Sequence, residues 1–208
     1  VAGAGVAEAR HAPARHAVSA TKKHPFAAIV LAAGAGSRFG EPKVNATLPN
    51  GRRFIDVVVE HCHTAGADPV IAVVPPGTDA PTGARAVVNS KPKAEQVTSL
   101  RLGLAQLANT DATGVLVWPV DHPFARAESA LAVVDAARRT GAPIVVPVSE
   151  GGRGHPVWFA RETWRELMTV ADGGARAVVH GYGARVLEVP VGDAGIRRDI
   201  DTRADLDG

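Results

Sequence analysis

The chain has 208 residues, 46% hydrophobic and 21% charged, which excludes wholesale disorder and allows one domain with a sizeable core. Its 23 basic and 21 acidic side chains leave a net charge of +2, and aromatics make up only 4%, so neither electrostatics nor stacking platforms point to nucleic acid. The single cysteine, Cys62, excludes an internal disulfide framework and a cysteine-built zinc site; with no apolar run near the ~20 residues that span a bilayer and no signal-peptide core, a cytoplasmic protein is expected, with no membrane partner.

Residues 1–24 are Ala-rich, carry Arg10, Arg15, Lys22 and Lys23, and hold no Leu, Ile, Phe, Met, Trp or Tyr. Such a segment buries too little to repay its ordering entropy, so a mobile tail is expected, with the folded domain over 25–208. Phe26–Leu31 reads as a buried strand ending at Gly34. Phe54–Thr64 places Ile55, Val58, Val59 and Cys62 on one helix face. Val70–Val74 and Ala86–Asn89 read as strands, and Ala94–Ala108 as a helix. Gly114–Trp118 is a strand that runs into Pro119, Val120 and Asp121. A helix over Glu128–Thr140 stops at Gly141, and Ile144–Val148 is the next strand. Val157–Ala160 is a strand leading into a helix over Glu162–Val170. A short helix over Ala175–His180 and a strand over Val186–Val191 close the pattern. Continuous apolar strands alternating with amphipathic helices predict a mostly parallel sheet covered on both faces. Open sheets of this kind bind ligands at the carboxyl ends of their strands.

The first strand ends in Leu31-Ala32-Ala33-Gly34-Ala35-Gly36-Ser37-Arg38-Phe39-Gly40-Glu41-Pro42-Lys43. Glycines let backbone N–H groups approach an anion, and Arg38 and Lys43 add mobile positive charge, a combination suited to a polyphosphate. It is not a P-loop, because the Gly-Lys-Ser/Thr ending is missing. Nor is it a dinucleotide fingerprint, because Phe39 stands where the third glycine belongs.

This segment resembles the opening signature of nucleotidyltransferases with a MobA-like NTP-transferase domain. Later segments resemble one branch, the molybdenum cofactor cytidylyltransferases: Asn89 with Ser99, Asp121 in Val117–Pro123, Gly154-His155-Pro156-Val157, Asp172–Arg176 and Asp199–Leu206. The likeness covers about residues 26–208 and implies a single Rossmann-like three-layer α/β/α domain. The sequence departs from the branch at Glu95 or Gln96, where a glycine is usual, at Arg203, where a proline is usual, and over Val44–Leu48.

The resemblance implies a Mg²⁺-dependent transfer of CMP from CTP to a phosphorylated acceptor, molybdopterin above all. Nucleotide binding is assigned to Leu31, Ala32, Ala33, Gly34, Gly36, Ser37, Asn89 and Ser99. Arg38 would cradle the β- and γ-phosphates, and Lys43 would meet charge building at the α-phosphate. Mg²⁺ favours one or two carboxylates plus phosphate oxygens, so Asp121 is paired with Asp201 or Asp199 as its holder. A capping role for Asp121, or for one of Asp199 and Asp201, is the plainer alternative. Arg153, His155 and Arg176 are assigned to the acceptor. Ala33 would lie against the base and narrow its pocket, favouring CTP over GTP. His61, Cys62 and His63 splay around their helix and cannot share an ion. The expected partners are a nucleoside triphosphate, a small phosphorylated acceptor and, transiently, a cofactor-accepting enzyme. Two rivals stay open: a nicotinamide-dependent oxidoreductase reusing the glycine-rich loop, and a non-catalytic nucleotide or cofactor chaperone.

Overall fold

The structure, a computed structural model, describes residues 25–34, 39–40, 42–91 and 96–206. The expected tail over 1–24 lies outside the described residues, as do Gly36, Ser37, Arg38 and Glu95. The elements run β1 (Ala27–Leu31), α1 (Phe54–Thr64), β2 (Val70–Val74), β3 (Arg85–Val88), α2 (Gln96–Ala105), β4 (Gly114–Pro119), α3 (Ala127–Thr140) and β5 (Ile144–Ser149). They continue with β6 (Gly152–Arg153), β7 (Val157–Ala160), α4 (Trp164–Thr169), α5 (Gly174–Tyr182) and β8 (Val186–Pro190).

The sheet has the order β3-β2-β1-β4-β7-β5-β6, with β8 parallel to β5 on its other side. β1 to β4 run parallel, and β7 is antiparallel to both β4 and β5. This is a single three-layer α/β domain with a mostly parallel sheet, as the alternating pattern predicts. All five residues of β1, of β2 and all six of β4 are buried, as strands covered on both faces must be. Their side chains alternate between two cores. Ala28 and Val30 join the face closed by α1 and α3, and Ile29 and Leu31 the face closed by α2, α4 and α5. α2 comes close to β1 because residue 103 is glycine: a Cβ there would lie 2.8 Å from Ile29 Cγ2.

Two expectations need correction, and one element went unforeseen. The helix expected over Glu162–Val170 divides into a 3-10 turn, Arg161–Thr163, and α4, because Thr163 is buried and turns its hydroxyl back to the Ala160 carbonyl at 2.8 Å. The helical repeat over Ala94–Ala108 ends at Ala105, with Leu107 still fully buried in the turn that follows. The two-residue β6 is too short for any periodicity to reveal. Among the described residues, no helix is long and apolar enough to cross a membrane.

Candidate active site

The sheet winds one way from β1 through β2 to β3, then the other way through β4. The switch point therefore lies where the carboxyl ends of β1 and β4 pair, Leu31 opposite Pro119. Parallel sheets leave a crevice at that point. The chain leaves β1 through buried Ala32 and Ala33, held by Ala32 N–H to the Val73 carbonyl at 2.8 Å.

Lys43 comes into the crevice on a turn. The turn closes through Asn45 N–H to the Pro42 carbonyl at 2.9 Å and is fixed by fully buried Val44 and Ala46. The Lys43 ammonium, on a side chain only 12% exposed, donates to Asp121 Oδ2 at 3.3 Å and also to Asp201 Oδ1. One cation is thus clasped by two carboxylates that lie 80 residues apart in the chain.

Each carboxylate has its own support. Asp121 follows β4, and its Oδ1 accepts from His122 Nδ1 at 2.9 Å. Burial pushes this carboxyl up, but the His122 ring and the Lys43 ammonium outweigh it and hold the pKa at about 2. Asp201 sits on the C-terminal segment, where the capping alternative expects a final helix and the structure has only a 3-10 turn, Arg203–Leu206. That segment is anchored at Asp193, a buried carboxylate that accepts from Arg126 N–H at 2.8 Å and Ser129 Oγ at 2.7 Å. It then runs through buried Ile196 and Ile200, and Ile200 N–H reaches the Asp121 carbonyl at 2.8 Å. Asp205 Oδ2 accepts from Asp201 N–H at 3.0 Å and Thr202 N–H at 2.7 Å. Asp205 therefore reaches back to cap this last turn, and the Asp201 carboxylate meets Lys43. Asp199 instead lines the neighbouring cleft.

Asn89 and Ser99, both buried, meet directly: Asn89 Nδ2 donates to Ser99 Oγ at 3.0 Å. The pair ties the end of β3 to α2. Beside it, Leu31, Gln96, Val97, Leu100, Gly174 and Arg176 enclose a recess of about 320 Å³.

A larger cleft of about 1050 Å³ opens next to it, with Val117, Val146, Val157 and Phe159 among its lining residues. His155 stands edge-on to His122, ring centroids 4.7 Å apart, and its buried Nδ1 has no hydrogen-bond partner among the described residues. Burial brings its pKa down to about 3. Arg176 lines the same cleft. Arg153 lies at its rim, where its Nε donates to Glu188 Oε1 at 2.7 Å. Sequence reasoning gave no role to Arg197, His180 or Gln96, which also line this cleft; Arg197 lies in a turn too short to carry a period.

His61, Cys62 and His63 do diverge. His61 Nδ1 lies 3.1 Å from the Ala125 carbonyl, His63 Nε2 lies 2.8 Å from that of Gly83, and Cys62 is buried. Among the described residues, no three His, Cys, Asp or Glu side chains converge on one point.

The doubly wound sheet, with a lysine and two carboxylates at its switch point, is the architecture of a nucleotide-handling α/β transferase. Residues 28–186 match the MobA-like NTP transferase domain; the chain belongs to that family and is a nucleotidyltransferase. Family membership decides between nucleotidyl transfer and the nicotinamide alternative in favour of the former. Among solved structures, Rv0371c from Mycobacterium tuberculosis H37Rv is similar with a TM-score of 0.75 and 27% identity, over 87% of this chain and 94% of that one. Rv0371c in complex with manganese is similar with a TM-score of 0.70 and 26% identity, over 87% and 95% of the two chains. The 2-C-methyl-D-erythritol 4-phosphate cytidylyltransferase from Thermus thermophilus shares the fold, with a TM-score of 0.68 and 21% identity over 88% and 95%. No curated protein matches the chain.

Proposed function

We propose that this chain transfers CMP from CTP to a phosphorylated acceptor of the molybdopterin type, in the presence of Mg²⁺, with release of pyrophosphate. The observation that carries the reading is the Lys43 ammonium clasped by Asp121 and Asp201 at the switch point. Two carboxylates already converge on a cation there, and no third ligand joins them among the described residues. That donor set suits Mg²⁺, which takes one or two carboxylates and fills its shell with phosphate oxygens and water. The manganese complex of Rv0371c supports a divalent ion at this fold. Bound between Asp121 and Asp201, such an ion would neutralise the triphosphate's charge.

The chain's own residues supply the rest. An acceptor phosphate oxygen attacks the α-phosphorus, the bond from that phosphorus to the pyrophosphate oxygen breaks, and pyrophosphate leaves with the electron pair. A phosphate monoester is already nucleophilic at neutral pH, so no general base is required. Lys43, released from the carboxylates, pairs with charge developing on the α-phosphate. The loop after β1, with Gly34, Gly36, Ser37 and Arg38, cradles the outer phosphates. Leu31, Ala32, Ala33 and the Asn89–Ser99 pair frame the base, and buried Ala33 supports the smaller pyrimidine. Arg176 and His155 face the acceptor, with Arg153 at the rim.

Pyrophosphate release, measured with each of the four nucleoside triphosphates against a panel of phosphorylated acceptors, tests the reading. CTP with a molybdopterin-type acceptor should be the most active pair. A clear preference for GTP, or no release with any triphosphate, would overturn it.

A further inference from the structure

The arginines of this fold mostly have structural partners. Arg101 donates to the carbonyls of Leu167 and Val170, Arg161 to those of Ala108, Thr110 and Ala112, and Arg198 to that of Asp205. Arg153 is neutralised by Glu188. Arg197 differs: among the described residues, its guanidinium makes no hydrogen bond or ion pair, and it lines the large cleft beside His155.

Its position is nevertheless built. Arg197 is exposed, and the end of its side chain comes up against Gly152, where a Cβ would stand 2.5 Å from both Cζ and Nε. The φ of Gly152 is not positive, so its backbone does not call for glycine, and a side chain there would push the end of Arg197 aside. The backbone just before Arg197 is laced to the strand carrying His155: His155 N–H donates to the Ile196 carbonyl at 2.8 Å. Three residues further on, Ile200 N–H bonds the carbonyl of Asp121. Arg197 therefore stands on the wall that leads to the lysine–carboxylate cluster.

A second observation points to a ligand. His155 Nδ1 is buried, polar and unpartnered, in a ring that lines the same cleft. Buried polar atoms without partners are rare in folded proteins and call for an explanation. Asp199 is the one carboxylate among the cleft's lining residues, against Arg176 and Arg197, which have no charge partner among the described residues, so the cleft favours an anion. A planar guanidinium binds a phosphate through two parallel N–H donors. The apolar residues Val146, Val157 and Phe159 line the space beside it.

We infer that Arg197 anchors the phosphate of the acceptor, with His155 Nδ1–H donating to the same group and the acceptor's body resting on Val157 and Phe159. The inference rests on the nucleotidyl-transfer reading and deepens it: the acceptor is a phosphomonoester with a compact apolar or aromatic body, and Arg197 decides its selection.

Phenyl phosphate is the probe, titrated calorimetrically into the full chain holding Mg²⁺ and a non-hydrolysable CTP analogue. Arg197→Gln should weaken its binding at least tenfold while the affinity for the CTP analogue stays within twofold. Gly152→Ala, which keeps the arginine but displaces it, should give a loss in the same direction. Arg197→Lys should recover only part of the binding, because an ammonium lacks the planar fork. Equal phenyl phosphate affinity in wild type and Arg197→Gln would overturn the inference, and so would full recovery by lysine. A chain that fails to bind the CTP analogue at all would instead remove the nucleotide reading; titration without nucleotide would then still decide whether phosphate binding depends on Arg197.

Discussion

Replacing Lys43 by methionine keeps the length and apolar stem of the side chain and removes only its charge. In the native site the ammonium touches Asp121 and Asp201, whose side chains are 26% and 27% exposed. A fully buried pair broken on one side costs ~3–5 kcal/mol, and an exposed pair ~0–1 kcal/mol. This site lies between the two, so ~1–2 kcal/mol of stability should be lost, or roughly 2–8 °C in Tm for a chain of this size. Metal affinity should move the opposite way. A divalent ion entering the native site must displace an ammonium held by charge-assisted hydrogen bonds, each worth ~1.5–3 kcal/mol. In Lys43→Met that contest is gone, so Mn²⁺ should bind at least tenfold more tightly without nucleotide. Turnover should nevertheless fall by a factor of ~10²–10³, because the charge developing at the α-phosphate loses its partner. In the native protein a triphosphate gives Lys43 a new partner and vacates the carboxylates, so CTP should strengthen Mn²⁺ binding. By linkage the two effects are reciprocal, and the coupling should shrink in the variant. Free Mn²⁺ followed by electron paramagnetic resonance, with and without a non-hydrolysable CTP analogue, reads all of this. If Lys43→Met binds Mn²⁺ no better than the native chain, the ammonium does not hold the metal position and the site has been misread.

Of the two C-terminal aspartates, Asp201→Asn should weaken Mn²⁺ binding in the presence of nucleotide by tenfold or more, whereas Asp199→Asn should change it by less than threefold; the reverse ranking in a calorimetric titration would exchange their roles. Ala33→Gly should let the chain use GTP in part while retaining CTP, since one carbon in a pocket wall shifts discrimination by only ~1–3 kcal/mol, and competition binding at fixed Mg²⁺ checks it. Acid should destabilise the fold in two stages. Burial keeps the folded-state pKa of His155 at about 3, below its unfolded value of ~6.5, so its contribution is complete above pH ~6.5 and is lost as pH falls towards 3. Asp121, held at about 2 by His122 and Lys43 against the upward push of burial, contributes fully above its unfolded value of ~3.9 and loses that contribution as pH falls to about 2. His155→Phe should therefore flatten the decline of Tm between pH 6.5 and 4; a variant curve parallel to the native one would show that His155 is protonated freely in the folded state.

The legible part of this protein is the part written in local pattern. β1, β2 and β4 announce themselves as unbroken apolar runs, because strands covered on both faces have no solvent side to alternate with. α1 is legible because Ile55, Val58, Val59 and Cys62 repeat at helical spacing, and all four are buried. Strand ends in such a sheet are where ligands go, so Lys43 and Asp121 could be picked out, and their meeting in space follows from the pairing of β1 with β4. The direction of β7 was not legible. A short strand buried on both faces reads the same whether it runs parallel or antiparallel, and only its neighbours in the sheet decide.

The remainder of the site depends on the path of residues 193–206, whose 3-10 turns, Ala194–Arg197 and Arg203–Leu206, are too short to carry a period. That path is set by contacts far apart in sequence: Asp193 on the first turn of α3, Ile196 against the His155 backbone, Ile200 against Asp121. Each fixes a functional group as a by-product. The Asp193 anchor and the Ile200 bond fix the path of this segment, so a choice that the i, i+2 spacing left open is made by tertiary contacts: Asp201 meets Lys43, and Asp199 lines the cleft. The Ile196 bond sets Arg197 across Gly152, two residues 45 apart in the chain. Read alone, Gly152 is one more glycine in a hairpin and Arg197 one more surface cation. Only the close approach of the two shows that the glycine leaves room for the end of the arginine, whose charge has no partner among the described residues.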